Sequence, residues 1–221
     1  MTPHSDIVNR IVVGDCVKVL KTLPADRVDL AVTDPPYLVR YRSQDGRSIA
    51  NDDNALWLVP AFAQIGRVLK PGRFCVSFYG WTQADRFLTA WRAAGLRAVG
   101  HFVFEKPYHS RERLLRYRHE CAYLLAKGEP VRPQIVLPDV LEWSYSGDAL
   151  HPTQKPLSGI VPLILAYSRQ GDIVLDPFAG SGTTPLAAKL LNRRYIGIEL
   201  DARYARLAQE RLERCDFGEG R

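Results

Sequence analysis

Two apolar runs in this chain end in a carboxylate and meet, at once, residues that cannot continue a strand. Val28-Asp29-Leu30-Ala31-Val32-Thr33 runs into Asp34-Pro35-Pro36-Tyr37, and Ile173-Val174-Leu175 runs into Asp176-Pro177-Phe178-Ala179-Gly180-Ser181-Gly182-Thr183-Thr184. Short apolar runs bounded by turn residues read as buried strands. Proline has no N–H for the ladder, so the chain must leave the sheet after Asp34 and again after Asp176. Both aspartates are thereby held at carboxyl ends of strands, the edge of an open α/β sheet where ligands bind. A third run, Tyr195-Ile196-Gly197-Ile198, ends at Glu199, and a fourth, Ile11-Val12-Val13, closes at Gly14-Asp15-Cys16.

The segments between alternate with these strands, as an α/β fold requires. Val17 to Leu23 has helical spacing, with Asp15 a candidate N-cap. Ala55 to Leu69 reads as an amphipathic helix stopped by Pro71-Gly72, followed by a strand from Arg73 to Tyr79 and a helix from Thr82 to Ala94 ended by Gly95. Leu96–Phe104 and Glu120–Ala126 are strands. Lys127 to Gly147, punctuated by Pro130, Pro133 and Pro138, reads as irregular. Helices follow over Leu157–Ser168, from Thr183 or Thr184 to Leu191, and over Ala202–Arg214, with a frayed tail beyond. Trp57, Trp81 and Trp91 read as core or lid packing, the commoner use of large aromatics.

Composition narrows the class. At 221 residues, with 46% hydrophobic and 24% charged residues, the chain suits one α/β domain with a full core. It has no apolar run long enough to cross a membrane, and Met1 to Arg10 lacks a signal-peptide core. Its four cysteines, Cys16, Cys75, Cys121 and Cys215, are scattered, which favours a reducing, cytoplasmic setting over a disulfide framework. The histidines show no metal-ligand spacing, so no metal is expected. A formal charge of +6 permits a polyanionic partner.

Asp34-Pro35-Pro36-Tyr37 suits the methylation of an aromatic amine. The exocyclic nitrogen of adenine or cytosine is a poor nucleophile, because its lone pair is delocalised into the ring. Two acceptors on its N–H bonds, the Asp34 carboxylate and the Pro35 carbonyl, would localise that pair, while Tyr37 stacks on the base. A plain strand-to-turn exit explains both prolines equally well. The second stretch adds the cofactor. A strand, Asp176, the Gly180-Ser181-Gly182 turn, a helix, and then an acid at the end of the next strand form a nucleoside-binding arrangement. Glu199 is spaced to accept ribose hydroxyls. Thr183-Thr184 stand where a nucleoside triphosphate would want lysine, and Pro185 stands where a dinucleotide would want its third glycine. S-adenosylmethionine, which carries adenosine and an amino acid but no phosphate, remains. Asp176 favours its cationic groups.

Together these residues resemble the DNA amino-methyltransferases, which methylate adenine-N6 or cytosine-N4. The motif order is similar to that of the family's β class. His151-Pro152-Thr153-Gln154-Lys155-Pro156 resembles the family's motif preceding the cofactor loop. The likeness spans about Val12 to Leu212. It implies a Rossmann-like, circularly permuted S-adenosylmethionine-dependent methyltransferase fold, with a mixed, mostly parallel sheet and helices on both faces. It further implies that Asp34, Pro35, Pro36 and Tyr37 are catalytic. The cofactor would be held by Asp176, Pro177, Phe178, Ala179, Gly180, Ser181, Gly182 and Thr183, with Glu199 on the ribose, Asp15 and Cys16 beside the adenine, and Thr153, Gln154 and Lys155 at the amino-acid end. The expected reaction is adenine-N6 methylation of double-stranded DNA by base flipping, with cytosine-N4 the alternative.

On this reading residues 1–221 form one methyltransferase domain. Residues 38–54, rich in arginine and polar side chains, are either a substrate-side loop or a plain surface loop. Residues 105–150 are expected to contact DNA and recognise the target. Within them Lys106, Arg111, Arg113, Arg116 and Arg118 interleave with Tyr108 and Tyr117, a pattern that suits a nucleic acid and suits a solvated basic loop as well. The part left for target recognition, Lys127–Gly147, is compact. A short target site, a homodimer, or help from the two basic segments would each resolve this.

Overall fold

The structure is a computed structural model that describes residues 7–40, 50–108, 114–143 and 155–216. The frame of the described residues is an eight-stranded sheet in the order β1-β8-β7-β2-β3-β5-β4-β6. The strands are β1 (Arg10–Val13), β2 (Val28–Thr33), β3 (Leu69–Phe78), β4 (Leu96–Glu105), β5 (His119–Lys127), β6 (Val140–Glu142), β7 (Ile173–Asp176) and β8 (Arg194–Glu199). In this sheet β5 runs against its neighbours β3 and β4; the other pairings are parallel.

Central parallel strands are covered on both faces and so carry unbroken apolar runs. β2 is buried along its whole length. Its alternation divides the core: Ala31 points to one layer, Leu30 and Val32 to the other. The first layer holds α1 (Cys16–Lys21), α2 (Leu58–Val68) and α3 (Ala84–Ala93), which bring Leu20, Phe62, Ile65, Phe87 and Trp91 onto Ala31, Cys75 and Leu175. The second holds α4 (Leu157–Tyr167), α5 (Thr183–Leu190) and α6 (Ala202–Asp216), with Ile160, Leu163, Leu186 and Leu212 against Leu30, Val76 and Val174. No helix among the described residues is long and apolar enough to cross a membrane.

Two local expectations are corrected. Pro71-Gly72 does not stop α2; the helix ends at Val68 and β3 begins at Leu69. Val28 pairs with Leu69 and Leu30 with Phe74, so the segment carrying Pro71-Gly72 bulges out of register. A bulge is where a residue without an N–H is tolerated. Buried Asp29 ties this start of the sheet together, accepting from the Ile173 N–H at 3.0 Å and pairing with Lys70 at 2.7 Å. The supposedly irregular stretch contains β6, parallel to β4. Of the tryptophans expected in core or lid packing, Trp91 is core, while Trp81 is outside the core, 61% exposed and stacked on Tyr117 at 6.2 Å.

Candidate active site

The order β1-β8-β7-β2 brings four acids side by side at one end of the sheet. Asp15 follows β1, Glu199 ends β8, Asp176 ends β7 and Asp34 follows β2. These strands are mutually parallel, so all four acids lie at carboxyl ends. β5 is antiparallel to β3, with Phe78 opposite Ala122, so the start of β5 at Glu120 reaches this same end.

The Asp34-Pro35-Pro36-Tyr37 turn folds back on itself. The Tyr37 hydroxyl donates to Asp34 Oδ1 at 2.8 Å, fixing carboxylate and ring relative to each other. Burial raises the Asp34 pKa, although Lys155 works against the rise. Burial, then Asp34 and Glu120, push the Tyr37 hydroxyl well above its usual value, so it stays a donor.

The Asp176–Thr184 stretch leaves β7 as a tight turn. Gly180 and Gly182 have φ of +51° and +82°, left-handed conformations that favour glycine. Gly182 also lies so close to α6 that an added Cβ would come within 2.7 Å of the Ala208 Cβ. The Gly180 N–H donates to Glu199 Oε2 at 2.8 Å and the Asp201 N–H to Glu199 Oε1 at 2.9 Å. Asp176 accepts from the Phe178 N–H at 3.1 Å. Its pKa is pushed up to about 7 by burial, with Asp34 and Glu199 adding to the rise. Burial also raises Glu199 and takes the Cys16 thiol up to about 12. Asp15 caps α1 as expected, accepting from the Lys18 N–H at 3.0 Å.

Sequence reasoning missed several contributors. Arg211 of α6 donates to the Ser181 carbonyl at 2.5 Å and to its hydroxyl at 3.2 Å, holding the turn from behind. Trp57, by contrast, packs as its sequence reading expected, meeting Phe178 edge-on at 5.1 Å. Glu120 lies 3.4 Å from the Tyr37 hydroxyl and 3.3 Å from the Lys106 ammonium. The signal for Glu120 was an acid opening an otherwise apolar strand beside a basic segment; for Arg211 there was none, because a helix-face arginine is ordinary.

Of the His151–Pro156 motif, Thr153 and Gln154 lie outside the described residues, as do Arg111 and Arg113 of the basic segment and residues 41–49 of the polar loop. Lys155 is described, and its side chain is 7% exposed. Its Nζ lies 2.6 Å from Asp34 Oδ2 and 3.1 Å from Glu120 Oε2. Among the described residues no cluster of His, Cys, Asp or Glu could hold a metal.

These residues fit a sulfonium-bearing nucleoside with an amino-acid tail. Burial, with Asp34 and Glu199 adding to it, raises the proton affinity of Asp176, a cost that a bound cation relieves. The glycine turn lets a ligand approach the backbone, and Trp57 and Phe178 give an aromatic wall. The absence of a phosphate-binding lysine after the glycines agrees with a ligand that carries no phosphate.

Comparison with known proteins points the same way. The chain is 53% identical over 204 residues to YubD of Escherichia coli (strain K12), a protein with a provisional methylase name, covering 92% of this chain and 90% of YubD. It is 29% identical over 248 residues to the DNA adenine methyltransferase YhdJ of the same strain, covering 92% and 82%. Among solved structures, a DNA modification methylase of Thermus thermophilus complexed with S-adenosyl-L-methionine, itself provisionally named, superposes with a TM-score of 0.71. That match has 28% identity and covers 93% of each chain. The family profile described as DNA methylase matches residues 28–210. The chain belongs to this family, the N6-adenine and N4-cytosine DNA methyltransferases, whose cofactor is S-adenosyl-L-methionine.

Proposed function

We propose that this chain methylates the exocyclic N6 of adenine in double-stranded DNA after flipping the base into the end of the sheet. The observation that carries the reading is the locked Asp34–Tyr37 pair, a carboxylate and an aromatic side chain joined at 2.8 Å, beside the cofactor carboxylate Asp176. The adenine DNA methyltransferase activity in YhdJ's name supports adenine over cytosine.

Asp34 and the Pro35 carbonyl accept the two amine N–H bonds and draw the nitrogen lone pair out of conjugation. Tyr37 stacks on the flipped base and recovers part of the few kcal/mol that flipping costs. S-adenosyl-L-methionine, held by Asp176, the Gly180–Gly182 turn and Glu199, would supply an electrophilic methyl to the amine nitrogen, its sulfur keeping the electron pair of the C–S bond, and the proton that the amine gives up would pass to water. The protein's contribution is positioning, which for well-oriented reactants is worth up to ~7–11 kcal/mol. The arginines and lysines of residues 38–54 and 105–118 are proposed to hold the strand through its phosphates, Arg116 and Arg118 being candidates.

The test is incubation of the protein with S-adenosyl-L-methionine and unmethylated duplex DNA, followed by digestion and mass spectrometry of the nucleosides. N6-methyladenine from the wild type and none from Asp34→Ala supports the reading. N4-methylcytosine would move the base, and no methylated nucleoside despite cofactor binding would remove duplex DNA as the substrate.

A further inference from the structure

The Lys155 ammonium sits in a box built from three rings and two carboxylates. The ring centroids of Tyr37, Phe78 and Trp143 lie 5.3, 5.2 and 5.9 Å from Nζ, in addition to the contacts with Asp34 at 2.6 Å and Glu120 at 3.1 Å. Trp143 is itself buried, and its edge meets Phe78 and Phe104, so the box is a fixed part of the core. An N–H donor on Asp34, lying over Tyr37, is also what the amino group of a flipped base presents. The ammonium and the base amine therefore compete for one carboxylate.

Glu120 is placed to resolve the competition. One of its oxygens already meets Lys155, while the other is 3.3 Å from Lys106, which is largely buried itself. Burial opposes the charge on Glu120, but Lys155 and Lys106 together hold its pKa below the ordinary value, whereas the Asp34 pKa is raised. Lysine's flexible stem lets its ammonium change acceptor without moving the backbone. A buried ammonium that lost Asp34 with no second carboxylate would be heavily destabilised.

We propose that Lys155 is a placeholder for the target amine, holding Asp34 and Tyr37 in their working geometry and passing to Glu120 when the base docks. Glu120 is then a positioning residue that acts through Lys155 and never touches the base. This rests on the reading that the base amine binds at Asp34.

The test is a double-mutant cycle on methylation of unmethylated plasmid DNA, with Glu120→Gln and Lys155→Met alone and together. Wild-type methylation is the control that tests the functional reading; the cycle tests the placeholder. Glu120→Gln is expected to lower kcat about tenfold or more, with KM for DNA and S-adenosyl-L-methionine affinity within about threefold of wild type. In the Lys155→Met background the same substitution is expected to cost less than about threefold. An equal cost in both backgrounds would mean that Glu120 merely supports the fold, and the proposal fails. Should Lys155→Met be inactive, NMR of protein carrying 15N-labelled lysine decides. The Lys155 ammonium signal, identified by its loss in Lys155→Met, should shift when plasmid DNA and S-adenosylhomocysteine are added to wild type, and should not shift the same way in Glu120→Gln. An unchanged signal in wild type overturns the proposal.

Discussion

Gly80 and Tyr37 approach so closely that the glycine has no room for a side chain. A Cβ on Gly80 would lie 2.8 Å from the Tyr37 carbonyl oxygen and 2.9 Å from its Cβ. The Gly80 φ is −81°, which any residue adopts, so the constraint is steric and comes from across the sheet. Gly80→Ala is expected to push Tyr37 off the Asp34 carboxylate. Misplacement on the order of 1 Å can cost roughly a hundredfold in rate. Steady-state kinetics should therefore show kcat down by about ten- to a hundredfold, while overpacking costs stability only ~1–3 kcal/mol in chemical denaturation.

Arg211 secures the Gly180–Gly182 turn, proposed to hold the cofactor, through Ser181. Arg211→Ala removes hydrogen bonds from a charged donor, worth ~1.5–3 kcal/mol. Calorimetric titration should show S-adenosyl-L-methionine affinity lowered by about tenfold. Unchanged affinity in a folded variant would mean that the turn holds its shape without α6.

The Asp176 pKa is raised from 3.8 to about 7, so the folded chain binds a proton that the unfolded chain has lost between those values. The stability this contributes is present below pH 3.8 and is lost as pH rises through about 7. Asp176→Asn should thus flatten the stability profile across that window and leave the ligand-free protein more stable than wild type at about pH 8. A cationic ligand prefers the ionised carboxylate, so wild-type S-adenosyl-L-methionine affinity should tighten from about pH 6 to 8. Isothermal titration across that range checks the sign, and the Asn variant should lose the dependence.

Thr33 is buried directly before Asp34, and its hydroxyl has no hydrogen-bond partner among the described residues. Its neighbour across the sheet is Ser77 of β3. Valine has the same shape without the hydroxyl, and relieving a buried unsatisfied group is worth ~1–3 kcal/mol. Thr33→Val is expected to be neutral or stabilising in urea denaturation, with activity kept. A loss of stability would mean that the hydroxyl is bonded in solution.

The sequence by itself determined that the runs ending at Asp34, Asp176 and Glu199 become strands and that each presents a carboxylate at its end, whereas β6 lay in a stretch that read as irregular. The prolines after Asp34 and Asp176 break the ladder, and the glycines after Asp176 mark a turn that only they adopt without strain. Such local rules are legible because they depend on neighbours in the chain. Tertiary structure decided what stands opposite. Nothing near Glu120 in sequence says that it will meet Lys155 and Tyr37; an antiparallel strand in an otherwise parallel sheet brings it there. Arg211 reaches Ser181 because α6 crosses behind the turn, and Gly80 must stay bare because β3 delivers it against Tyr37. The helix expected to stop at Pro71-Gly72 instead passed straight into β3, since pairing with β2 outweighed the turn preference of those two residues. Chain-local chemistry chose the acids; long-range packing chose their partners, because burial and contact are properties of the whole fold.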